Sequence, residues 1–193
     1  MLFRSLLLPT SSAGIIANLA VLLRGRTVVN LNYTSSREAL TASVTSAGIK
    51  HIYTSRKFVE KLAQRDLDPS AVFSISQIHY LEDLVQGITP QYKLFMLLLA
   101  RLLPAWTLRM LFCKRVDIET PAAILFSSGS EGVPKGVMLT HRNLVANLCQ
   151  CEGMAGFDAF HEEDSVIAVL PVFHIYGMVV IMMLALEIGR AHV

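Results

Sequence analysis

The residues best suited to chemistry lie in one short run, from Phe126 to Val137. It reads Phe-Ser-Ser-Gly-Ser-Glu-Gly-Val-Pro-Lys-Gly-Val, which combines three hydroxyls, three glycines and a lysine. Glycines let backbone N–H groups approach an anion closely, hydroxyls donate hydrogen bonds to phosphate oxygens, and a lysine adds positive charge. The run therefore predicts a binding loop for a nucleotide triphosphate, and the alternative is an ordinary glycine-rich loop between a strand and a helix.

Two common phosphate-binding patterns do not fit this run. A Walker A loop has lysine directly after glycine and before serine or threonine, whereas here Pro134 precedes Lys135 and Gly136 follows it. The dinucleotide fingerprint Gly-x-Gly-x-x-Gly also fails, because Gly129, Gly132 and Gly136 have a different spacing. If the loop binds phosphate, it belongs to another class of phosphate site, and the ordinary loop remains the alternative.

A second polar position lies in the segment Leu170-Pro-Val-Phe-His-Ile-Tyr-Gly177. The apolar run before it, from Ser165 to Val169, predicts a buried strand. A single histidine among apolar neighbours is more often a core residue with satisfied hydrogen bonds than a functional one. Taken alone, His174 is therefore interpreted as such a core residue.

Both segments, in this order, resemble signatures of the AMP-binding, adenylate-forming superfamily of acyl-CoA and acyl-carrier-protein synthetases. The Ser-Gly-Ser-Glu-Gly form, with glutamate where threonine is commonest, resembles one branch, the bifunctional acyl-acyl-carrier-protein synthetase/2-acylglycerophosphoethanolamine acyltransferase group. The resemblance implies that the first segment holds the phosphates of ATP, with Mg²⁺ bound by ligands outside this chain. The implied phosphate-site residues are Ser127, Ser128, Gly129, Ser130, Glu131, Gly132, Lys135 and Gly136.

The same resemblance implies roles for the second segment and a reaction. Phe173 would contact the acyl group, and His174 would be a gate or positioning residue between the acyl pocket and the pantetheine tunnel. The implied reaction activates a fatty acid as its acyl-adenylate and transfers it to the thiol of CoA or of acyl-carrier protein. The alternative is a non-catalytic fragment that binds at most an anion or a membrane surface.

Local patterns predict the elements that must position these residues. Arg26 to Thr34 is predicted as a strand and turn, and Ser35 with Glu38 as a capping box that opens a helix to about Ala47. The remaining predictions are a strand at 49–54, a helix at 56–63 capped by Ser55, a strand at 122–126 and a helix at 141–150 capped by Thr140. This alternation predicts an α/β fold with a parallel sheet and covering helices, which the resemblance places in the large N-terminal domain of an adenylate-forming enzyme.

Composition excludes several classes of protein. The formal net charge is +2, and no basic face interleaves with aromatic residues, so nucleic-acid binding is not expected. Cys113, Cys149 and Cys151 are odd in number and lack the Cys-x-x-Cys spacing. We expect reduced thiols in a cytoplasmic protein, without a disulfide framework or a zinc site.

Residues 84–116 form a leucine-rich segment without any acidic residue. Its basic residues are Lys93, Arg101, Arg109, Lys114 and Arg115. Charges and Pro104 interrupt the segment before it reaches the ~20 apolar residues of a membrane span. Two interpretations remain: a basic, apolar helix pair at an anionic membrane surface, or helices packed on the core with their arginines extended to water.

The two ends have an unusual relationship at the nucleotide level. One possible coding sequence for Leu2-Phe-Arg-Ser5 is the reverse complement of a possible coding sequence for part of Glu187–Val193. Both of these coding sequences match a common sequencing adapter. We therefore expect residues 1–5 and 187–193 to be non-native, with a partial AMP-binding domain at 6–186.

Overall fold

The computed structural model describes residues 3–65, 67, 69–127, 134–155, 166–188 and 191–192. The strands are β1 (Phe3–Leu7), β2 (Thr27–Asn30), β3 (His51–Thr54), β4 (Gln77–Tyr80), β5 (Pro121–Ser127), β6 (Lys135–Thr140), β7 (Val166–Ile167) and β8 (Ala191–His192). The α-helices are α1 (Ser12–Leu23), α2 (Arg37–Ser46), α3 (Arg56–Ala63), α4 (Ser70–Phe73), α5 (Leu81–Gln86), α6 (Pro90–Leu102), α7 (Ala105–Phe112), α8 (His141–Ala155) and α9 (Ala185–Ile188). A π-helix, Gly177–Leu184, leads directly into α9.

Six strands form one sheet in the order β4-β3-β1-β2-β5-β6. All neighbouring pairs are parallel except β5 and β6, which are antiparallel. The parallel strands end at one common edge, so the segments that follow them lie near one another. This confirms the predicted α/β fold with a mostly parallel sheet.

Alternating side chains of the strands divide the core between the two faces of the sheet. On one face, Leu6, Val28 and Leu125 pack with side chains from α1, α8 and the π-helix. On the other face, the neighbouring residues Leu7, Val29 and Ile124 pack with side chains from α2, α3 and α4. Nearly continuous apolar runs are expected of strands that are covered on both faces.

The helix starts show how local capping chemistry sets the element bounds. Thr140 Oγ1 accepts from the Asn143 N–H at 3.2 Å, and the Asn143 side chain accepts from the Thr140 N–H at 3.0 Å. This reciprocal cap confirms Thr140 at the start of α8, which runs on to Ala155, past the predicted end. At α2 the predicted cap was wrong by one residue: Ser36 caps the helix through the Ala39 N–H, while Ser35 donates to the Asn32 carbonyl.

Two strand predictions need correction. The segment before Thr140 is not simply a loop into the helix, because β6 returns antiparallel along β5 before α8 begins. The predicted buried strand at 165–169 is only β7 within the described residues, and the side chains of Ile167 and Val169 are both 74% exposed. The reason is that β7 pairs with β8 in a separate two-stranded sheet and is not part of the central six-stranded sheet.

The basic, leucine-rich segment forms α6, α7 and the second half of α5. None of these three helices has a fully buried residue, although Met96, Leu99 and Leu108 are partly buried, so the choice between helices at a membrane surface and helices packed on the core stays a prediction. Among the described residues, we find no helix with the length and apolar character that crossing a bilayer requires. The proposed non-native status of residues 1–5 and 187–193 stays a prediction.

Candidate active site

The predicted phosphate loop lies at the end of a β-hairpin. Ser127 is the last residue of β5 and lies opposite Lys135, the first residue of β6. The Ser127 hydroxyl donates to the Lys135 carbonyl at 3.4 Å, which joins the two strands where the loop begins and ends. The other predicted loop residues, Ser128, Gly129, Ser130, Glu131 and Gly132, lie outside the described residues.

Lys135 and Gly136 have distinct positions at this hairpin end. Lys135 is exposed, and its ammonium forms no ion pair within the described part of the chain. Gly136 lies opposite Phe126, and a Cβ at Gly136 would be only 3.3 Å from the Phe126 ring. The glycine therefore lets β6 lie close over an aromatic side chain, while the lysine offers a positive charge beside the loop that has no ion-pair partner among the described residues.

The two sequence motifs meet at one cavity of about 240 Å³. Its lining includes Phe126, Ser127, Val137, Leu139, Phe173 and His174. The same cavity is thus lined by Ser127, where the phosphate loop begins, and by Phe173 and His174 of the second motif. A pocket with an apolar wall and a few polar groups at one end suits a ligand that has an apolar part and a charged part.

A smaller, more polar cavity of about 90 Å³ also borders Ser127. Asn32, Ser35 and Ser43 contribute its polar side chains, and Pro134 lies at the loop end. The turn after β2, to which we assigned no role from sequence, therefore contributes to the surroundings of the loop. Ser127 lies between this polar cavity and the apolar one.

Phe173 is held by aromatic packing. It is 3% exposed, and its ring meets Tyr33 edge-on with centroids 4.9 Å apart. Tyr33 also contacts Phe58 edge-on at 5.0 Å, so three rings connect the second motif to α3. Burial raises the pKa of the Tyr33 phenol above its usual value, although Arg65 acts in the opposite direction. The phenol is therefore neutral at ordinary pH, and Tyr33 acts here as a packing residue.

His174 has a different environment from its neighbour. The side chain is exposed, and the imidazole ring leans on Phe173 with centroids 4.6 Å apart. The ordinary interpretation of this residue as a buried core histidine was wrong. An exposed imidazole at the cavity wall can approach a ligand in that cavity, as a gate or positioning residue must. The roles of Phe173 and His174 stay predictions.

The backbone of residues 170–177 is tightly constrained. The His174 N–H donates to the Pro171 carbonyl at 3.0 Å, and the Met178 N–H donates to the His174 carbonyl at 2.9 Å. A Cβ at Gly177 would lie 2.1 Å from the Pro171 carbonyl oxygen, so this close turn requires glycine. Thr10 fixes the beginning of the segment by donating its hydroxyl proton to the Leu170 carbonyl at 3.2 Å.

Buried amides attach this segment to the sheet. Asn30, at the end of β2, donates to the Asn18 side-chain carbonyl at 2.7 Å and to the Val172 carbonyl at 3.4 Å. Asn18 in turn donates to the Gly14 carbonyl at 2.9 Å. Both asparagines are almost fully buried, at 0% and 3% exposure, so their hydrogen bonds are made within the protein. The chain Gly14–Asn18–Asn30–Val172 places the second motif at the edge where β5 ends.

Sequence reasoning missed this network and the role of Tyr33. The available signals were an asparagine inside the apolar helix α1 and another at the end of the buried strand β2. A polar residue in such a position needs a partner. The partner could not be named, since Asn30 and Val172 are distant in sequence.

The described residues do not resemble a complete metal site. Within them, no group of three or more histidine, cysteine, aspartate or glutamate side chains could hold a metal ion. The donors at the hairpin end are instead a hydroxyl and an ammonium, which match phosphate oxygens. The chemistry of these residues therefore fits a polyphosphate ligand.

Comparison of the fold identifies the class of protein. ATP-bound MatB from Rhodopseudomonas palustris matches 98% of this chain with a TM-score of 0.69 and 20% identity, over 34% of its own chain. The o-succinylbenzoate CoA synthetase MenE from Bacillus subtilis, solved with ATP and a magnesium ion, matches 98% with a TM-score of 0.67 and 18% identity, over 42% of its own chain. The fold is that of the N-terminal domain of adenylate-forming enzymes.

The family follows from the sequence match. The family described as AMP-binding enzyme matches residues 5–193, nearly the whole chain. The chain belongs to the AMP-binding enzyme family, whose members include acid-thiol ligases that use ATP with Mg²⁺.

Curated relatives show how much of such a protein is present. The chain is similar to 4-coumarate–CoA ligase 1 of Arabidopsis thaliana, with 29% identity over 96% of this chain and 32% of that protein. A shorter match, to 4-coumarate–CoA ligase CCL1 of Humulus lupulus, has 44% identity over 40% of this chain and 14% of that protein. The chain thus spans about a third of the length of the Arabidopsis relative. These relatives support the acyl-CoA ligase class, while the finer acyl-carrier-protein synthetase branch stays a prediction.

The clash at Gly177 gives a first testable prediction. Gly177→Ala should strongly destabilise the protein, because the new Cβ would meet a backbone oxygen that cannot rotate away. We expect a loss of about 2 kcal/mol or more in the free energy of unfolding, measured by urea denaturation. The matched control is Gly153→Ala in α8, where nothing lies within 4 Å and the change should stabilise by roughly 0.5–1 kcal/mol. Equal effects at both sites would contradict the close turn.

The buried amides give a second prediction. Asn30→Ala removes the donor to Asn18 and to Val172, and should cost about 1–3 kcal/mol because buried acceptors lose their partner. Asn147→Ala in α8 is the control, since that side chain makes only one 3.5 Å contact, with Gln150. Its effect should stay within about 0.5 kcal/mol. Urea denaturation of the two variants makes the comparison, and similar losses would argue against the network.

Proposed function

We propose that this chain provides the phosphate-binding loop and part of the acyl pocket of an ATP-dependent fatty acyl ligase. The observation that carries the proposal is the shared cavity, on which the start of the loop at Ser127 meets Phe173 and His174. Membership of the family indicates the class of reaction. The shared cavity supports the proposal that both motifs contact the same ligand.

The proposed reaction has two steps. A carboxylate oxygen of the substrate attacks the α-phosphate of ATP, the bond to the β-phosphate breaks, and pyrophosphate leaves. The sulfur of a phosphopantetheine thiol then attacks the acyl carbonyl, AMP leaves, and the thiol proton passes to solvent or a base. In the first step, the Ser127 hydroxyl and the Lys135 ammonium would bind the phosphates and stabilise the negative charge that builds on the departing pyrophosphate.

The acyl group and the thiol are further parts of the proposal. The lining of the cavity by Phe126, Val137, Leu139 and Phe173 supports an apolar acyl group, and we propose a fatty acid. The aromatic acid named for the curated relatives is the competing substrate class. The acceptor is CoA or acyl-carrier protein, and acyl-carrier protein follows from the resemblance of Ser-Gly-Ser-Glu-Gly to the bifunctional branch.

Lys135 provides a third prediction. Lys135→Ala should weaken the binding of MgATP by about tenfold, because an exposed ammonium beside the loop is lost. Equilibrium dialysis of the 193-residue chain with radiolabelled MgATP measures the effect. Lys57→Ala is the matched control, since Lys57 is equally exposed but lies on α3. Equal weakening in both variants, or in neither, would reject Lys135 as a phosphate-binding residue.

Catalysis by the isolated chain provides a fourth prediction. The chain should bind MgATP and release no pyrophosphate when a fatty acid is added, because it spans about a third of the length of the Arabidopsis relative. A coupled pyrophosphate assay with dodecanoate and with 4-coumarate measures this. Turnover with either acid would show that the essential groups lie within these residues, and failure to bind MgATP would instead reject the phosphate site.

A further inference from the structure

Helices α6 and α7, with the connection Leu103–Pro104, form an arm at residues 90–112. Neither helix buries a residue. Leu102 is 77% exposed, Trp106 63% and Met110 73%. Further exposed apolar side chains of the arm are Tyr92, Leu94, Phe95, Leu97, Leu98 and Leu111. An apolar surface of this extent normally marks an interaction site.

The charge of the arm restricts what can cover it. Lys93, Arg101 and Arg109 lie on the arm, Lys114 and Arg115 follow it, and no acidic residue lies between 84 and 116. Two flanking acids are already paired, Asp83 with Arg56 at 2.8 Å and Glu119 with Arg142. The surface is therefore apolar and positively charged together. A second copy of the same arm would bring like charges into contact, which disfavours self-association through it.

The end of the arm is attached to the fold by hydrogen bonds. The Lys114 N–H donates to the Leu23 carbonyl at 2.8 Å, and the Arg24 guanidinium donates to the Phe112 carbonyl at 3.3 Å. Gly25, with φ of 62°, lies so close to this end that a Cβ there would be 2.5 Å from Val116 Cγ1. The arm thus has a defined origin at the C-terminal end of α1.

Helix α5, which precedes the arm, is also held to the fold by hydrogen bonds. Glu82, in α5, accepts from the Ser55 hydroxyl at 2.8 Å and from the Arg56 N–H at 3.0 Å, which gives α3 its N-terminal cap. The hydrogen bonds to this carboxylate lower its pKa, although desolvation acts in the opposite direction. Glu82 is therefore ionised at neutral pH, and its carboxylate is hydrogen-bonded to the start of α3. It therefore does not neutralise the positive charge of the arm.

The position of the arm leaves the candidate active site accessible. Because α1 ends where β2 begins, Leu23 and Lys114 lie at the edge of the sheet where the parallel strands start. The phosphate loop leaves the sheet at the opposite edge, where β5 ends. A partner bound at the base of the arm would not have to displace a ligand at Ser127.

We propose that the arm at residues 90–112 docks this protein on the surface of an anionic lipid bilayer. Exposed leucine, tryptophan and methionine side chains would enter the interface, and lysine and arginine would contact lipid phosphates. With 13 residues, α6 is about 20 Å long, shorter than the ~30 Å hydrocarbon core, so it lies along the surface. This inference goes beyond the proposed ligase reaction and does not depend on it.

Trp106 makes the proposal directly measurable, since it is the only tryptophan of the chain. Vesicles of phosphatidylglycerol, added at about 0.02 M salt, should shift its emission to shorter wavelength and carry the protein into the pellet. At about 0.5 M salt, or with phosphatidylcholine alone, we expect much weaker binding. The absence of binding to anionic vesicles at low salt would overturn the proposal, and so would equal binding to neutral vesicles.

Charge-reversal variants assign the binding to the arm. The double variant Arg101→Glu/Arg109→Glu should weaken binding to anionic vesicles by at least about tenfold, because each basic side chain near the surface contributes to attraction. The matched control is Lys57→Glu/Lys61→Glu on α3, which changes the net charge equally. We expect wild-type binding from that control, provided that circular dichroism shows both variants folded.

Two results would overturn the membrane proposal, the first by assigning the arm to a protein contact and the second by removing the arm's specific role. One is a shift of Trp106 emission that depends on protein concentration without lipid, together with a dimer in light scattering. The other is equal loss of vesicle binding in both charge-reversal variants, which would indicate a general charge effect. The membrane test does not use ATP, so its failure leaves the proposed ligase function untouched.

Discussion

The buried hydrogen bonds of Asn30 are the interaction on which the candidate site most depends. One side-chain amide at the end of β2 contacts both Asn18 in α1 and the Val172 carbonyl in the second motif. Without it, the segment that carries Phe173 and His174 would have fewer fixed contacts with the sheet. Because a buried amide loses its bonds to water on folding, the protein retains this arrangement only where every partner is in place. The network therefore fixes the position of the second motif.

A second constraint comes from the backbone on each side of His174. Gly177 comes so close to Pro171 that no side chain fits between them, and Thr10 holds Leu170 from the other direction. The rings of Tyr33 and Phe58 then hold Phe173 against α3. The imidazole of His174 is exposed at the cavity, as is the side chain of Ile175 beside it. The motif thus combines a rigid backbone and a fixed Phe173 with an exposed polar side chain, which suits a residue that must contact a ligand.

The sequence predicted those parts of the fold that depend on local chemistry. The strands β2, β3 and β5 and the helices α2 and α8 follow from apolar runs and serine or threonine caps, with boundaries within a few residues. Helix α3 has its predicted bounds, but the predicted cap was wrong, because Ser55 makes no capping hydrogen bond and Glu82 accepts from the Arg56 N–H instead. β6 was missed because its formation depends on pairing with β5, and its own segment begins with Lys135 and Gly136 directly after the loop. The exposure of Ile167 was missed for a similar reason, since burial depends on which helices cover a strand. The two motifs predicted the candidate site as a pair, whereas Asn18, Asn30 and Tyr33 acquire their roles only through contacts between distant segments.

The arrangement of charge connects the site with the rest of the molecule. At the edge where β5 ends, Ser127 and Lys135 lie where the loop begins and ends. The acids Asp83 and Glu119 form ion pairs with arginines, Asp83 with Arg56 and Glu119 with Arg142. At the opposite edge, the arm at residues 90–112 joins the fold and carries basic residues among exposed apolar ones. If the phosphate ligand and a bilayer bound to the same surface, they would compete for the same lysine and arginine side chains, because both are anionic. With the two proposed surfaces at opposite edges of one sheet, each partner would be bound by its own cations, and an apolar substrate dissolved in the bilayer would be enriched near the protein without blocking the proposed nucleotide site.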